Sequence, residues 1–184
     1  NPDIKANSIE RCYYCKKEIF IELVSIAAAV NFSAVFDGSN TDDLDDYRPG
    51  LQALRELIIK SPLIEAGLSK SDIRLLAQEA GLPNWDKPSA ACLASRFSYD
   101  EALDPAKLKM VAAAEQYLRE LGISGSLRVR SHNLLARIEV SATEQEKLMG
   151  NKDNIHEALK KLGFRYVTID LGGFNSGSMN RSIS

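Results

Sequence analysis

The chain of 184 residues is 45% hydrophobic and 26% charged, so it can bury a core as one large domain or two small ones. Its net charge of −2 argues against nonspecific nucleic-acid binding. The longest apolar run, from Ile19 to Val30, is interrupted by Glu22 and Ser25 and is too short to span a bilayer. Three cysteines make no disulfide framework, which predicts a protein of the reducing cytoplasm.

The first half of the chain predicts helices around a buried strand. Residues 15–30 carry apolar side chains at helical spacing, and the apolar segment Phe32–Phe36 that follows predicts a strand. A helix, a strand and then a glycine-containing loop are typical of a parallel α/β sheet. A further helix is predicted over residues 71–80, with Ser69 or Ser71 as its N-cap.

The second half begins after a loop, residues 82–99, that has no lasting periodicity. Asp104-Pro105 predicts the start of a long helix that ends near Leu121. Apolar and charged residues then alternate over residues 127–130 and 136–140, which predicts two strands.

A two-residue turn at His132-Asn133 would pair these strands with Arg128 opposite Arg137. Ser141 and Glu144 have the spacing of a capping box for a short helix. A helix over residues 154–162 and a strand over residues 166–171 complete an α+β unit that starts near residue 100.

The spacing of the three cysteines indicates a site. Cys12 and Cys15 form a C-x-x-C pair, and Cys92 lies far away in the 82–99 loop. Three thiolates can hold one iron–sulfur cluster and leave its fourth iron open. The same residues could instead be a redox pair with an unrelated thiol, or three of four ligands to zinc.

Arg128 and Arg130 are two residues apart on a predicted strand, so both guanidinium groups leave the same face. Two such groups can hold a phosphate or carboxylate. The alternative is a solvated face whose charges pair with Glu139 or neighbouring acids. An anion site is favoured if Arg96, after the cysteine loop, points into the same space.

The acidic loop over residues 37–46 has enough carboxylates for Mg²⁺ and follows the predicted strand, where ligands bind in open α/β folds. The alternative is a solvated acidic turn. Glu115, on the long helix, is predicted to be a surface residue. His132 and His156 lack ligand spacing to each other or to the cysteines, and we interpret both as structural.

A series of motifs recurs in order along the whole chain and resembles one known family. The motifs are Arg11-Cys12-Tyr13-Tyr14-Cys15-Lys16, Asp37-Gly38-Ser39-Asn40, Asp46-Tyr47-Arg48-Pro49-Gly50, Trp85-Asp86-Lys87-Pro88, Cys92-Leu93-Ala94-Ser95-Arg96, Leu127-Arg128-Val129-Arg130, Ala136-Arg137-Ile138-Glu139-Val140 and Gly177-Ser178-Met179-Asn180. Together they resemble the LarE-type ATP-dependent sulfur transferases of nickel-pincer nucleotide synthesis. The cysteine loop and the double-arginine strand are the most specific parts of the resemblance.

This resemblance implies a PP-loop ATP pyrophosphatase, with part of an adenine-nucleotide α-hydrolase parallel sheet in residues 1–99 and an α+β catalytic domain in residues 100–184. Such enzymes use ATP and Mg²⁺ to adenylylate a carboxylate of a pyridinium dicarboxylate mononucleotide, and sulfur then displaces AMP to leave a thiocarboxylate. In one branch of the family a single cysteine, matched by Cys92, gives its own sulfur. In the other branch, which we favour, three cysteines hold a [4Fe-4S] cluster, and Cys12, Cys15 and Cys92 match them.

The resemblance also implies roles for further residues. The expected phosphate-binding residues are Arg128, Arg130, Ser95 and Arg96, with Glu139 in support, and the expected nucleotide and magnesium side comprises Asp37, Asn40 and Asp43. We expect a small-molecule nucleotide substrate, no nucleic-acid or membrane partner, and a homo-oligomer.

The family's Ser-Gly-Gly-x-Asp-Ser phosphate loop is missing from the sequence, and we expect it upstream of Asn1. Without this loop, residues 1–184 are expected to lack the main binding site for the ATP phosphates. Two alternatives are a different PP-loop thiolase, acting on tRNA or a small molecule, and a non-catalytic module in which the cysteines hold zinc. The absence of a basic or aromatic RNA-binding stripe argues against the tRNA enzyme.

Overall fold

The computed structural model describes residues 1–45, 47–87 and 90–175, so the predictions for Asp46, Pro88 and the motif at 177–180 lie outside the described residues. The chain divides into two compact units, Asn1–Lys87 and Pro88–Ser184. The predicted boundary is at residue 99, whereas the structure joins the Cys92 loop to the second unit. Among the described helices, none has the length and apolar character needed to cross a bilayer.

The first unit is built from helices. They are α1 (Pro2–Lys5), α2 (Arg11–Ala29), α3 (Gly50–Glu56), α4 (Pro62–Glu65), α5 (Lys70–Glu79) and a short 3-10 helix (Thr41–Leu44). The predicted N-cap Ser69 is confirmed at α5, where its hydroxyl accepts from the Asp72 N–H in a capping box. Helix α3 packs against α2.

The predicted strand Phe32–Phe36 is wrong. Within the described residues of the first unit, this segment makes a single parallel bridge, between Phe36 and Lys60, and the Phe32 side chain is 71% exposed. A parallel strand needs a continuous hydrogen-bonded neighbour, and one bridging residue is too little to form a ladder. Helix α2 likewise leaves its apolar stripe in contact with solvent. The exposed members are Ile19, Leu23, Ile26 and Val30.

The second unit has the predicted order α-β-β-α-α-β. Its elements are α6 (Pro105–Glu120), β1 (Leu127–His132), β2 (Leu135–Val140), α7 (Ala142–Gly150), α8 (Lys152–Leu162) and β3 (Tyr166–Ile169). The sheet order is β1-β2-β3, with β1 and β2 antiparallel and β2 and β3 parallel. Helices α6 and α8 contribute Val111, Leu118 and Leu159 to a core that includes one face of the sheet.

The predicted hairpin register is wrong by two positions. The turn consists of Asn133 and Leu134, so Arg128 lies opposite Glu139 rather than Arg137. Asn133 has a φ of +56°, a left-handed conformation that asparagine tolerates better than most residues. A shift of two residues keeps every side chain on its predicted face, because strand side chains alternate with period two. Arg128 and Arg130 therefore share one face, as predicted.

The predicted capping box at Ser141 is also wrong. The Ser141 side chain makes no capping hydrogen bond to α7. The Glu144 carboxylate instead accepts from the Ser124 hydroxyl at 2.8 Å and from the Ser124 N–H at 3.1 Å. The local pattern assigns the Glu144 carboxylate to the start of α7, but in the structure it is hydrogen-bonded to the loop before β1.

Candidate functional site

The C-x-x-C pair lies at the start of α2. Cys12 is exposed, Cys15 is half-buried, and both are free of disulfides. Residues three apart on a helix are neighbours on its surface, so the two thiols share one face of α2. Gly50 allows α3 to approach this turn, because a Cβ atom there would lie 2.9 Å from Lys16 Cδ and 3.4 Å from the Cys12 carbonyl oxygen.

The Asp37 carboxylate joins three segments of the first unit. It accepts hydrogen bonds from Ser61 Oγ at 2.6 Å, Ser39 Oγ at 2.7 Å and Lys16 Nζ at 3.0 Å. Burial alone would raise the pKa of Asp37, but these hydrogen bonds outweigh burial and lower it below its usual value. Because Lys16 directly follows Cys15, Asp37 ties the cysteine helix to the predicted nucleotide loop.

Asn40 and Asp43 stabilise the same loop. The Asn40 side chain accepts from the Asp42 N–H at 3.1 Å, and the Asp43 carboxylate accepts from the Asn40 N–H at 3.0 Å. Asp43 also forms an ion pair with Arg48 at 2.9 Å. These contacts fix the shape of the loop, and the role of Asp37, Asn40 and Asp43 toward a nucleotide or Mg²⁺ stays a prediction.

Cys92 begins a tight turn in the second unit. It is exposed, carries no disulfide and precedes the 3-10 helix Leu93–Arg96. Its carbonyl oxygen accepts from the Ser95 N–H at 2.9 Å and from Ser95 Oγ at 2.7 Å. We call residues 91–96 the Cys92 turn.

Arg96 holds the Cys92 turn together from inside. The residue is 3% exposed, and its guanidinium group bonds both carboxylate oxygens of Glu115 at 2.8 and 3.0 Å. The same group donates to the carbonyl oxygens of Ala91 at 3.1 Å and Cys92 at 3.3 Å, and to Ser95 Oγ at 2.9 Å. The backbone of the turn therefore depends on one buried ion pair.

The prediction that Glu115 is a surface residue is wrong. Its side chain is 17% exposed, and Oε1 also accepts the Val129 N–H at 2.9 Å, which links the Cys92 turn to α6 and β1. The sequence pattern could have predicted this burial, because Glu115 lies four residues after Val111 and three before Leu118, on the buried face of α6.

Arg130 holds the Cys92 turn from the sheet. It bonds both oxygens of Glu139 at 2.9 and 3.0 Å and donates to the Ser95 carbonyl oxygen at 2.6 Å. Glu139 is 2% exposed and also accepts from Arg137 at 3.1 Å. The pairing with Glu139, which the sequence suggested for a solvated face, thus occurs in the protein interior.

Arg128 completes the arginine cluster on this face. It is 9% exposed, donates to the Leu127 carbonyl oxygen at 2.8 Å and stacks over Phe174, with 5.2 Å from the guanidinium carbon to the ring centroid. Burial and the positive charge of Arg96 lower the pKa of Arg128. A bound anion would offset both effects, because it would neutralise a charge held away from water among like charges.

The structure brings Ser95, Arg96, Arg128 and Arg130 together around the Cys92 turn. Cys12 and Cys15 belong to the first unit and Cys92 to the second, so the convergence of the three thiols stays a prediction. Among the described residues, no group of three or more His, Cys, Asp or Glu side chains is placed to hold a metal ion.

His132 lies on β1 two residues after Arg130, and His156 lies on α8. Burial and the charge of Arg137 lower the pKa of His132, at the end of β1. His156 lines a cavity of about 410 Å³ between α7, α8 and the sheet, and none of the predicted site residues lines that cavity.

Comparison with known proteins identifies relatives over nearly the whole chain, although no family profile matches it. The chain is 45% identical over 98% of its length to the pyridinium-3,5-bisthiocarboxylic acid mononucleotide synthase of Lactiplantibacillus plantarum. It is 44% identical over its full length to an uncharacterized protein of Synechocystis sp., and 35% identical over 92% to one of Methanocaldococcus jannaschii. It spans 65%, 69% and 66% of the lengths of these three relatives.

These identities confirm the resemblance found in the motifs. The chain belongs to the family of the pyridinium-3,5-bisthiocarboxylic acid mononucleotide synthases.

Proposed function

We propose that the chain is the sulfur-transferring part of an ATP-dependent synthase that converts a carboxylate of a pyridinium dicarboxylate mononucleotide into a thiocarboxylate for the nickel-pincer cofactor. The family membership supports the substrate class and the sulfur chemistry. The observation that carries the proposal is the Cys92 turn, because two buried arginines hold an exposed cysteine beside a third arginine.

Within the second unit the three arginines have different tasks. Arg96 and Arg130 already bond two carboxylates and the backbone of the Cys92 turn, so they position Cys92 and Ser95. Burial and the positive charge of Arg96 disfavour the charged form of Arg128, and a bound anion would offset both effects. Arg128 therefore binds the substrate phosphate. The phosphate thereby anchors the nucleotide next to Cys92, where the activated carboxylate must receive sulfur.

The thiols fit an iron–sulfur cluster in their chemistry. Cys12, Cys15 and Cys92 carry no disulfide and are at least partly exposed, and thiolates are the usual ligands of such clusters. Cys12, Cys15 and Cys92 would hold such a cluster, which would supply an iron without a protein ligand as the carrier of the sulfide.

The first unit is then the C-terminal part of a PP-loop nucleotide domain. The apolar side chains exposed on α2 and the single parallel bridge at Phe36 support this assignment. Further strands of a parallel sheet would cover those side chains and would extend the bridge into a hydrogen-bonded ladder. The three relatives are longer than the matched region. ATP and Mg²⁺ then bind in the complete protein, with the loop at Asp37, Asn40 and Asp43 on the nucleotide side.

Metal and mass analysis of the full-length protein containing this chain tests the source of the sulfur. Anaerobically purified protein should contain iron and acid-labile sulfide, and Cys12→Ser should lose both. Stoichiometric zinc without sulfide would support the structural module instead. Loss of hydrogen sulfide from Cys92 after turnover, in iron-free protein, would assign the sacrificial branch.

Substitution of Arg128 tests the phosphate site. In the full-length protein Arg128→Ala should weaken binding of the mononucleotide by about 10-fold or more, since a charge-assisted contact contributes about 1.5–3 kcal/mol. Arg165→Ala, which removes an exposed arginine of the same unit, should leave the Kd unchanged. Equal Kd values for wild type and Arg128→Ala would remove Arg128 from the site.

A further inference from the structure

Phe174 contacts Arg128 although the two residues are separated by a whole strand of the sheet. Strand β3 ends at Ile169, five residues before Phe174, and β2 lies between β3 and the strand β1 that carries Arg128. The Phe174 ring centroid is nevertheless 5.2 Å from the guanidinium carbon of Arg128. A contact over this separation depends on the fold of the residues after β3. We call residues 170–174 the β3 strap.

Asp170 fixes the start of the β3 strap. Its N–H donates to the Ile138 carbonyl oxygen at 2.9 Å, which continues the pairing of β3 with β2. Its carboxylate accepts from the Gly172 N–H at 2.8 Å, and its carbonyl oxygen accepts from the Gly173 N–H at 3.0 Å. One residue thus anchors the β3 strap to the sheet and also closes the turn that follows.

Gly173 and Val140 fix the end of the β3 strap. Gly173 has a φ of +65°, and a Cβ atom there would lie 2.9 Å from the Val140 carbonyl oxygen. The same oxygen accepts from the Phe174 N–H at 2.9 Å. The missing side chain at position 173 lets the backbone return to the end of β2, and the hydrogen bond holds Phe174 there. The place of the ring is therefore set by the backbone of the β3 strap.

The ring holds Arg128 in a different way from the two arginines that position the Cys92 turn. Arg96 and Arg130 each bond both oxygens of a carboxylate. Phe174 instead attracts the guanidinium group through the negative face of its ring, and this attraction is stronger where the cation, here 9% exposed, is shielded from water. A phenyl ring has no oxygen acceptor, so it holds the charge without replacing the oxygens of an anionic ligand.

We propose that Phe174 is a positioning residue whose ring, placed by the β3 strap, holds the Arg128 guanidinium group in the orientation that binds the substrate phosphate. This inference rests on the proposed function, which assigns the phosphate to Arg128. Arginine has a long side chain with many rotamers, and binding a phosphate to an unrestrained arginine costs the entropy of ordering it. The ring reduces this cost before the substrate arrives.

The test is calorimetric binding to the full-length protein of the pyridinium dicarboxylate mononucleotide and of the same nucleoside without its phosphate. Phe174→Leu keeps an apolar side chain but removes the ring, and it should raise the Kd of the mononucleotide by about 3- to 30-fold, the range of a cation–π contact. The Kd of the nucleoside should not change, because the nucleoside has no phosphate to bring to Arg128. Phe174→Tyr keeps the ring and should retain the wild-type Kd values.

Tyr166→Leu is the matched control, because it removes an aromatic ring of β3 that is 60% exposed, and both Kd values should stay those of wild type. Gly173→Ala is the second variant: it displaces the β3 strap and should weaken the mononucleotide as Phe174→Leu does. In protein that already carries Arg128→Ala, Phe174→Leu should cause no further loss of affinity. Circular dichroism melting checks that each variant is folded.

The inference is overturned if Phe174→Leu or, where that variant does not fold, Gly173→Ala binds the mononucleotide like wild type while Arg128→Ala binds it more weakly. That result would leave the proposed phosphate site in place. A loss of affinity that the nucleoside shares, or that persists in Arg128→Ala, would also overturn the inference, because the ring would then act by another route. A wild-type Kd in Arg128→Ala would overturn the assignment of the phosphate to Arg128, and this inference with it.

Discussion

Replacing Glu115 by glutamine should destabilise the second unit and release the Cys92 turn. The substitution keeps the shape of the side chain but removes the charge that faces Arg96, whose side chain is 4% exposed. Removing one partner of a buried ion pair costs about 3–5 kcal/mol. Because Glu115 is 17% exposed and glutamine retains one acceptor oxygen, we expect about 3 kcal/mol, the lower end of that range.

Two measurements follow from the geometry. At about 2–4 °C per kcal/mol for a chain of this size, the melting temperature by circular dichroism should fall by about 6–12 °C. The Val129 amide donates to Glu115 Oε1, so its hydrogen exchange should accelerate in Glu115→Gln. In the full-length protein, the proposed formation of the thiocarboxylate should fall even at temperatures where the variant is folded, because the Cys92 turn loses its support.

The control is Glu101→Gln, the same change in a more exposed pair. Glu101 bonds Lys107 at 3.0 Å, and the lysine side chain is 34% exposed. Such pairs contribute about 0–1 kcal/mol, so the melting temperature should change by no more than a few degrees. A Glu115→Gln variant that melts like Glu101→Gln, with the exchange of the Val129 amide unchanged, would refute the role assigned to the ion pair.

Three further predictions follow. Because the pKa of Asp37 is lowered in the folded protein, its ionised carboxylate stabilises the first unit at pH values above 3.8, the pKa in the unfolded chain. This contribution is lost as the pH falls through the folded pKa. Urea unfolding monitored by Trp85 fluorescence should therefore lose less stability on acidification in Asp37→Asn than in wild type. Gly163→Ala should cost about 1 kcal/mol or more in a denaturant titration, because φ is +118° and the new Cβ atom would lie 3.2 Å from Met110 Sδ, whereas Gly150→Ala, in open space, should be neutral or stabilising. The isolated chain should bind a hydrophobic dye more strongly than the full-length protein, because α2 exposes its apolar stripe, and equal binding would argue against its burial by the rest of the protein.

The sequence by itself determined the features that depend on neighbouring residues. The N-caps Ser69 and Asp104 and the α-β-β-α-α-β order of the second unit follow from local hydrogen bonds and from periodicity. The common face of Arg128 and Arg130 also follows, because it depends only on alternation and survives a register shift of two. The motifs around the cysteines were sufficient to indicate the family.

Tertiary structure alone decided which charged groups meet. Glu144 fits a local capping box but bonds Ser124, and Glu115 is polar but belongs to a buried ion pair with Arg96. The segment Phe32–Phe36 has the composition of a strand, yet one bridge to Lys60 is all the pairing that it has among the described residues of the first unit. In each case the deciding partner is distant in sequence. A side chain follows its local preference only when no distant group offers a better hydrogen bond. An extended segment forms a sheet only when a neighbouring strand supplies the other half of the hydrogen-bonded ladder.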